Sequence, residues 1–304
     1  MPLRFQRRRA VAESIRRIAT AQIDAALAVI GDSTVDEAEA VHAVRQHLKR
    51  LRALIRLPRA NLAGFRGENI AFRDLGRKLA HTRDADVLGR TFDKLAASEN
   101  LPEAADLRHS LLATAGAAMP SSERRALLRG EVAKGLVAAR RRVKHWRFKR
   151  SGFALIGPGL KRVYRDMRAG EELAADQPTA THFHEWRKQA KYHTDQLALL
   201  EAVAPEIFEG YHQTALKLGS TLGKHHDLDV MASALAGLDL PEERRTALLA
   251  AIDRRNAKLE ATAFRLGLEL SAERPADFAR RVQVSWKSWR HPKRRPSALP
   301  LPPA

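Results

Sequence analysis

The chain has 304 residues, of which 54 are Lys or Arg and 35 are Asp or Glu, so its formal net charge is +19 at pH 7. It contains no cysteine, which excludes disulfides, cysteine-ligated zinc, iron–sulfur clusters and a thiol nucleophile. No apolar run approaches the roughly 18 residues that span a membrane, so we expect a soluble, cytoplasmic protein. The excess of positive charge indicates a polyanionic partner.

The predicted elements are helices, because Ala, Leu, Arg and Glu are abundant and no stretch shows long β-branched alternation. Ser121 or Ser122 and Asp239 are expected to cap two of them, the latter with Glu242 at the third helical position. We expect residues 151–159 to break the chain and the proline-rich tail, 291–304, to be disordered. In chain order the helices are predicted over about 9–30, 36–57, 69–98, 103–114, 122–148, 158–175, 179–203, 206–236, 240–268 and 275–290.

Two motifs occur twice in the chain. Residues 41–49 match 183–191 at an offset of 142 through the pattern apolar-His-x-apolar-Arg-x-x-x-Lys. Residues 75–88 match 218–231 at an offset of 143 through Leu-Gly-x-x-Leu, four variable residues and Asp-x-Asp-Val. The same order at nearly one offset predicts two similar helical bundles related by a pseudo-twofold axis. They would cover about 8–150 and 151–290 of a single domain, 8–290.

The second predicted helix carries a basic row beside its apolar core stripe, because both follow the same spacing one position apart. Such a row suits a long linear anion, since Arg forks and Lys ammonium groups each meet a phosphate. The alternative to a binding site is that the basic row is an ordinary solvated surface. For the histidines, the alternative is a structural hydrogen bond. The row spans about 21 Å and comprises His42, Arg45, Lys49, Arg52 and Arg56; its shorter counterpart comprises His184, Arg187 and Lys191, with Lys188 added.

The repeated Asp-x-Asp pairs are Asp84 with Asp86 and Asp227 with Asp229. They resemble metal ligands, but residues two apart on a helix do not share a face. We therefore predict no metal site, and expect one Asp of each pair to orient a neighbouring Arg or Lys.

These segments together resemble the CHAD domain (conserved histidine α-helical domain) over about residues 8–290. The resemblance is carried by His42 to Arg52, by 83–88, by His184 to Lys191 and by 226–230, in that order. It implies two four-helix bundles around a pseudo-twofold axis with a basic surface or pore between them. It further implies binding of inorganic polyphosphate, often at polyphosphate granules, without catalysis and without a cofactor.

In the family, basic residues on the repeated helices line the path of the anion. Carried over by motif, these are His42, Arg45, Lys49 and Arg52 in one half and His184, Arg187, Lys188 and Lys191 in the other. Segment 160–165 resembles the basic helix that opens the second half, which adds Lys161 and Arg165. Arg56, Arg77, Arg83 and His226 complete the candidates. Ser220 and Thr221 replace Arg77 and Lys78 in the second half, so we expect an asymmetric surface.

A metal-dependent phosphohydrolase is one alternative. His225, His226 and Asp227 resemble its His-Asp pair, and His182, His184 and Asp229 are possible further ligands. However, Arg83 stands at the position equivalent to His226, and an arginine does not ligate a metal.

A nucleic-acid-binding protein is the other main alternative, because the charge fits a phosphate backbone. Aromatic residues are only 6% of the chain, which is few for the stacking that single-strand binders use. Insertion into a membrane surface is disfavoured, because the basic rows border core stripes and not exposed apolar faces.

Overall fold

The structure, a computed structural model, describes residues 4–79, 84–99, 104–117 and 120–292. These residues form eleven α-helices and one isolated β-bridge between Leu62 and Phe148, which confirms the all-α prediction. None of the helices in these ranges has the length and apolar character that crossing a membrane requires. The helices are α1 (Val11–Gly31), α2 (Glu37–Arg56), α3 (Phe65–Lys78), α4 (Asp84–Glu99), α5 (Ala104–Ala117), α6 (Ser122–Lys144), α7 (Gly152–Asp176), α8 (Ala180–Leu200), α9 (Pro205–Ala236), α10 (Glu242–Ser271) and α11 (Pro275–Arg290).

The predicted single helix over 69–98 is wrong, because α3 ends at Lys78 and α4 begins at Asp84. Residues 80–83, and with them Arg83, lie outside the described ranges. The end of α3 is held by a side chain of α2: Arg45 Nη1 donates to the carbonyl of Leu79 at 2.9 Å. A carbonyl at a helix end has no partner within the helix, so this bond satisfies it.

The predicted break over 151–159 is also wrong, because α7 begins at Gly152 and continues through Pro158. Proline lacks the N–H that would bond the carbonyl four residues earlier, that of Ala154. Asn61 Nδ2 donates to this carbonyl at 3.2 Å and so replaces the missing bond. A side chain remote in sequence therefore keeps the helix intact.

The two predicted caps have different outcomes. Ser121 caps α6 as expected, since its hydroxyl accepts from the backbone N–H of Arg124 at 3.3 Å. The cap predicted at Asp239 is wrong: α10 begins after Pro241, and no side chain caps it. Instead, the negative charges of Glu242 and Glu243 in its first turn interact favourably with the positive end of the helix dipole.

The main core joins helices from both halves of the chain. α1, α2, α3 and α6 pack together, and α7 to α10 pack in succession with α11 against α7. α2 contacts α8, and α1 and α2 contact α7, so one continuous core runs through both groups. Leu51, Trp186, Phe208 and Phe278 are among its fully buried members. The prediction of two equivalent four-helix bundles, and its domain limits, stay predictions.

A second core lies where α4 and α5 pack against the C-terminal part of α9 and the N-terminal part of α10. Phe92, Leu111, Met231, Leu235 and Ile252 are buried in it. Within the described ranges, α4 and α5 contact each other, α9 and α10, and none of the remaining helices. The interruption after α3 therefore separates the hairpin of α4 and α5 from the helices that precede it.

The close approach of α7 to the end of α2 generates a stability prediction. A Cβ atom on Gly159 would lie 2.1 Å from the carbonyl oxygen of Leu57, which is backbone and cannot rotate away. We expect Gly159→Ala to lower the free energy of unfolding by about 2 kcal/mol or more, measured by urea denaturation. Gly210→Ala on α9 is the matched control, because no atom lies within 4 Å of its Cβ position. That substitution should be neutral or stabilising, and equal effects of the two would contradict the packing argument.

His193 generates a second prediction. Its ring is fully buried and lies edge-on against the stacked rings of Tyr164 and Phe278, with centroids 5.4 and 5.5 Å away. Neither ring nitrogen has a hydrogen-bond partner within the described residues, and burial, aided by Arg281, lowers its pKa to about 3. The unfolded chain then binds more protons below pH 6.5, so acid destabilises the fold.

We expect His193 alone to lower the free energy of unfolding by about 2 kcal/mol when the pH falls from 7 to 5, because its pKa differs between the folded and unfolded states. The His193→Leu variant should lose correspondingly less stability than the parent over this interval, in urea denaturation at both pH values. If the parent and the variant lose the same free energy of unfolding between pH 7 and pH 5, the His193 ring is protonated in the folded state.

Candidate anion-binding site

Four basic side chains meet where α2 packs against α8. Arg45 and Lys49 are four residues apart on α2, and so are Arg187 and Lys191 on α8, so each pair lies on one face of its helix. The contact between the helices places Lys49 within electrostatic range of the other three. We call Arg45, Lys49, Arg187 and Lys191 the central cationic cluster.

The positive charges of the central cationic cluster repel one another. Lys49 is exposed as a residue, yet loss of hydration, followed by repulsion from Arg187, Arg45 and Lys191, lowers its pKa to about 8. Burial and then the charge of Arg187 also lower the pKa of Lys191. Partly desolvated like charges repel one another, and a bound anion would relieve that repulsion.

Arg187 has an unused donor inside the cluster. Its Nε is buried and has no hydrogen-bond partner in the described parts of the chain. Burial lowers the pKa of its guanidinium, and the negative charge of Asp227 opposes part of this shift. The side chains of Arg187 and Lys191 pass over Gly223 and Gly219 of α9, each at 3.7 Å from the position a Cβ would take. The floor beneath the two cations is thus free of side chains at these points.

The predicted histidines lie beside the cluster. The rings of His184 and His226 have their centroids 4.9 Å apart. Burial, followed by the charge of Arg187, lowers the pKa of both, to about 4 for His226. Near pH 7 they are therefore neutral hydrogen-bonding groups and not cations. His42 lies one turn before Gln46, with its Nε2 3.0 Å from the amide nitrogen.

The predicted orienting carboxylates are not alike. Asp227 favours the charged form of Arg187, as the sequence hypothesis requires of one member of the pair. Asp229 lies 3.1 Å from His225 Nδ1 and accepts from Asn256 Nδ2 at 3.1 Å. Asp84 and Asp86 are in the first turn of α4, and their side chains lie outside the described set.

A comparison with models of protein families identifies the family of the chain. The family model described as the CHAD domain matches residues 17–236. The chain belongs to the CHAD domain family. The solved structure of PptA from Streptomyces chartreusis superimposes with a TM-score of 0.56, covering 92% of this chain and 100% of that one at 17% sequence identity, which shows a shared fold. No curated protein sequence matches the chain significantly.

Two further predicted ligands of this CHAD domain, Arg52 and Arg56, make contacts within the fold. Arg52 Nε and Arg56 Nη1 donate to Asn69 Oδ1 at 3.3 and 3.0 Å. The guanidinium of Arg56 also lies 3.7 Å from the ring centroid of Tyr192, a cation–π contact. Burial lowers the pKa of Arg56 to about 10, which leaves it charged at pH 7.

The remaining predicted cations lie outside the cluster. Arg77 is 3.8 Å from Asp74, Arg165 is 3.0 Å from Asp166, and Lys188 pairs with Glu185. Lys161 is exposed and has no partner among the described residues.

The sequence argument missed Arg50 and Asp195, which adjoin the cluster. Both line a cavity of about 430 Å³ bordered by α1, α2, α8 and α9. Asp195 lies one turn after Lys191, and burial raises its pKa to about 6 despite the nearby charges of Arg50, Lys191 and Lys49. The spacing of four from Lys191 was the signal that could have identified it. Among the described residues, no group of three or more His, Asp or Glu could hold a metal.

The electrostatics of Lys49 can be measured directly. In a lysine-selective ¹³C NMR titration we expect one lysine to titrate near pH 8, about two units below an ordinary lysine. This signal should disappear in Lys49→Arg and move to higher pH in Arg187→Ala, because a repelling charge has been removed. As the pH rises through 8 the cluster loses one charge, so its affinity for a polyanion should fall. If every lysine titrates above pH 10, the cluster is not desolvated.

Proposed function

We propose that this CHAD protein binds inorganic polyphosphate at the central cationic cluster and leaves it chemically unchanged. The observation that carries the proposal is the convergence of four cations from α2 and α8, with a buried, unpaired Arg187 Nε among them. Membership of the CHAD family, with its known association with polyphosphate, supports it. In cells that store polyphosphate, the protein would then be found on the granules.

The chemistry of the ligand matches that of the cluster. Each internal phosphate of the polymer carries about one negative charge, so successive phosphates can meet successive cations. Arg45 and Arg187 offer planar guanidinium forks, and Lys49 and Lys191 offer point charges. Neutral His184 and His226 can each donate one hydrogen bond to a phosphate oxygen. Affinity should rise with chain length, because a longer anion releases more counterions.

We also propose the pseudo-twofold relation between two four-helix bundles. The contact of α2 with α8 supports it, because Lys49 and Lys191 occupy matching repeat positions and lie beside each other. Arg45 and Arg187 match in the same way. A polyphosphate chain has two equivalent ends, so a site with twofold symmetry reads it equally in both directions. A nucleic acid strand is directional and gains less from such a site.

Binding without turnover is favoured over a metalloenzyme by the state of His225. Its Nε2 is 2.9 Å from Glu260 and its Nδ1 is 3.1 Å from Asp229, so both ring nitrogens already face carboxylates. The histidine that the phosphohydrolase alternative needs is therefore committed to the contact between α9 and α10.

The test removes three cations whose side chains make no hydrogen bond within the described parts of the chain. We expect Lys49→Ala, Arg187→Ala and Lys191→Ala combined to weaken binding of long-chain polyphosphate about 100-fold, since each charged contact contributes about 1 kcal/mol. Arg45 is kept because it holds Leu79 at the end of α3. The salt dependence should also become shallower, by about one unit of slope per lost contact.

The control lowers the net charge equally at exposed positions elsewhere, with Arg141→Ala, Lys144→Ala and Lys287→Ala. It should bind nearly as well as the parent, and both variants should keep the parental circular dichroism. The titration contains a chelator and excess duplex DNA. Displacement by DNA would support the nucleic-acid alternative, equal loss in both variants would mean that charge acts without a site, and release of phosphate in a parallel assay with Mg²⁺ would indicate an enzyme.

A further inference from the structure

A groove that the sequence argument did not identify lies between α4, α9 and α10. Its volume is about 420 Å³, within the range of small-molecule sites. It borders the second core and adjoins the central cationic cluster through Asp227, which lines it and whose charge acts on Arg187. Its lining is Thr91, Lys94, Leu95, Lys224, Asp227, Leu228, Arg255, Lys258, Leu259 and Thr262.

Four cations from three helices surround the groove, against one lining carboxylate, Asp227. Lys94, Lys224, Arg255 and Lys258 are exposed, and none of their side chains has an ion-pair or hydrogen-bond partner among the described residues. Some exposed basic residues elsewhere are, in contrast, paired, as Arg108 is with Asp93 and Arg265 with Glu269. The cations of the groove are thus available to a multiply charged anion.

The floor of the groove is apolar, and this separates it from the central cluster. Leu95 and Leu228 are buried in the second core, and Leu259 packs against that core with part of its surface exposed. Inorganic polyphosphate has no apolar surface, so it gains nothing from covering leucines. A ligand that matches both features combines several negative charges with a flat apolar or aromatic body.

We propose that this groove binds a nucleoside triphosphate. The base covers the leucine floor, and the triphosphate lies among Lys94, Lys224, Arg255 and Lys258.

The two threonines suit the sugar. Thr91 Oγ1 donates to Val87 O at 2.7 Å and Thr262 Oγ1 to Lys258 O at 2.9 Å. Each hydroxyl has therefore used its hydrogen within its own helix and keeps lone pairs, which can accept from ribose hydroxyls.

This inference goes beyond polyphosphate binding and does not depend on it. Calorimetric titrations of the full chain with ATP, inorganic tripolyphosphate and adenosine, in a chelator at physiological salt, test it. We expect ATP to bind one to one and at least 10-fold more tightly than tripolyphosphate, since only ATP covers the leucine floor. Adenosine alone should bind more weakly than ATP, because it leaves the cations unpaired.

Two variants locate the site. Arg255→Ala with Lys258→Ala should weaken ATP about 10-fold or more and change long-chain polyphosphate binding by less than threefold. The matched control, Arg141→Ala with Lys144→Ala, removes one Arg and one Lys at the same spacing on α6 and should leave ATP binding unchanged. The central triple variant should keep ATP binding even where polyphosphate binding is lost, so the two proposals fail separately.

Three results would overturn the inference. Tripolyphosphate binding as tightly as ATP would make the groove one more polyanion surface. Loss of ATP binding in the central triple variant, with none in Arg255→Ala/Lys258→Ala, would assign the nucleotide to the central cluster. Absence of measurable ATP binding by the parent protein would leave the groove without this ligand.

Discussion

The packing of α2 against α8 is the contact on which the basic site depends. Ala53, Val163 and Tyr192 form a small buried cluster at this junction, and Gln196 Nε2 donates to the carbonyl of Ala53 at 3.2 Å. Two unit charges about 4 Å apart repel by about 1 kcal/mol in water and about 4 kcal/mol near a protein surface. Full burial of a single large apolar side chain contributes about 1.5–3 kcal/mol. Burial of several apolar side chains beneath the helices therefore opposes the mutual repulsion of the four cations.

The crowding that favours an anion also changes the histidines. His184 and His226 are both among the candidate phosphate ligands predicted from the sequence. In the fold they share the desolvated surroundings of Arg187, which lower the pKa of both. A bound phosphate would reverse the local field and raise these pKa values, so binding at mildly acidic pH is expected to take up protons.

The sequence predicted which basic residues share a helix face better than it predicted the path of the chain. Helical spacing alone places Arg45 with Lys49 on one face of α2 and Arg187 with Lys191 on one face of α8. It could not predict that α7 passes through Pro158, because the replacement bond comes from Asn61, far away in sequence. Arg56 has the same spacing as the ligands, yet it lies over Tyr192. Periodicity determines which face a residue shares but not which neighbour covers that face.

The interruption between α3 and α4 makes the first half of the chain differ in structure from the second. α9, the repeat counterpart of this region, runs unbroken from Pro205 to Ala236. Because the first half is interrupted, α4 packs against α9 and α10 and supplies Thr91, Lys94 and Leu95 to the groove. The cationic cluster thus lies between α2 and α8, which carry the repeated motif, and the groove lies where the two halves of the chain differ in structure. The first suits a polymer whose two ends are alike, and the second suits a ligand with one charged end and one apolar end.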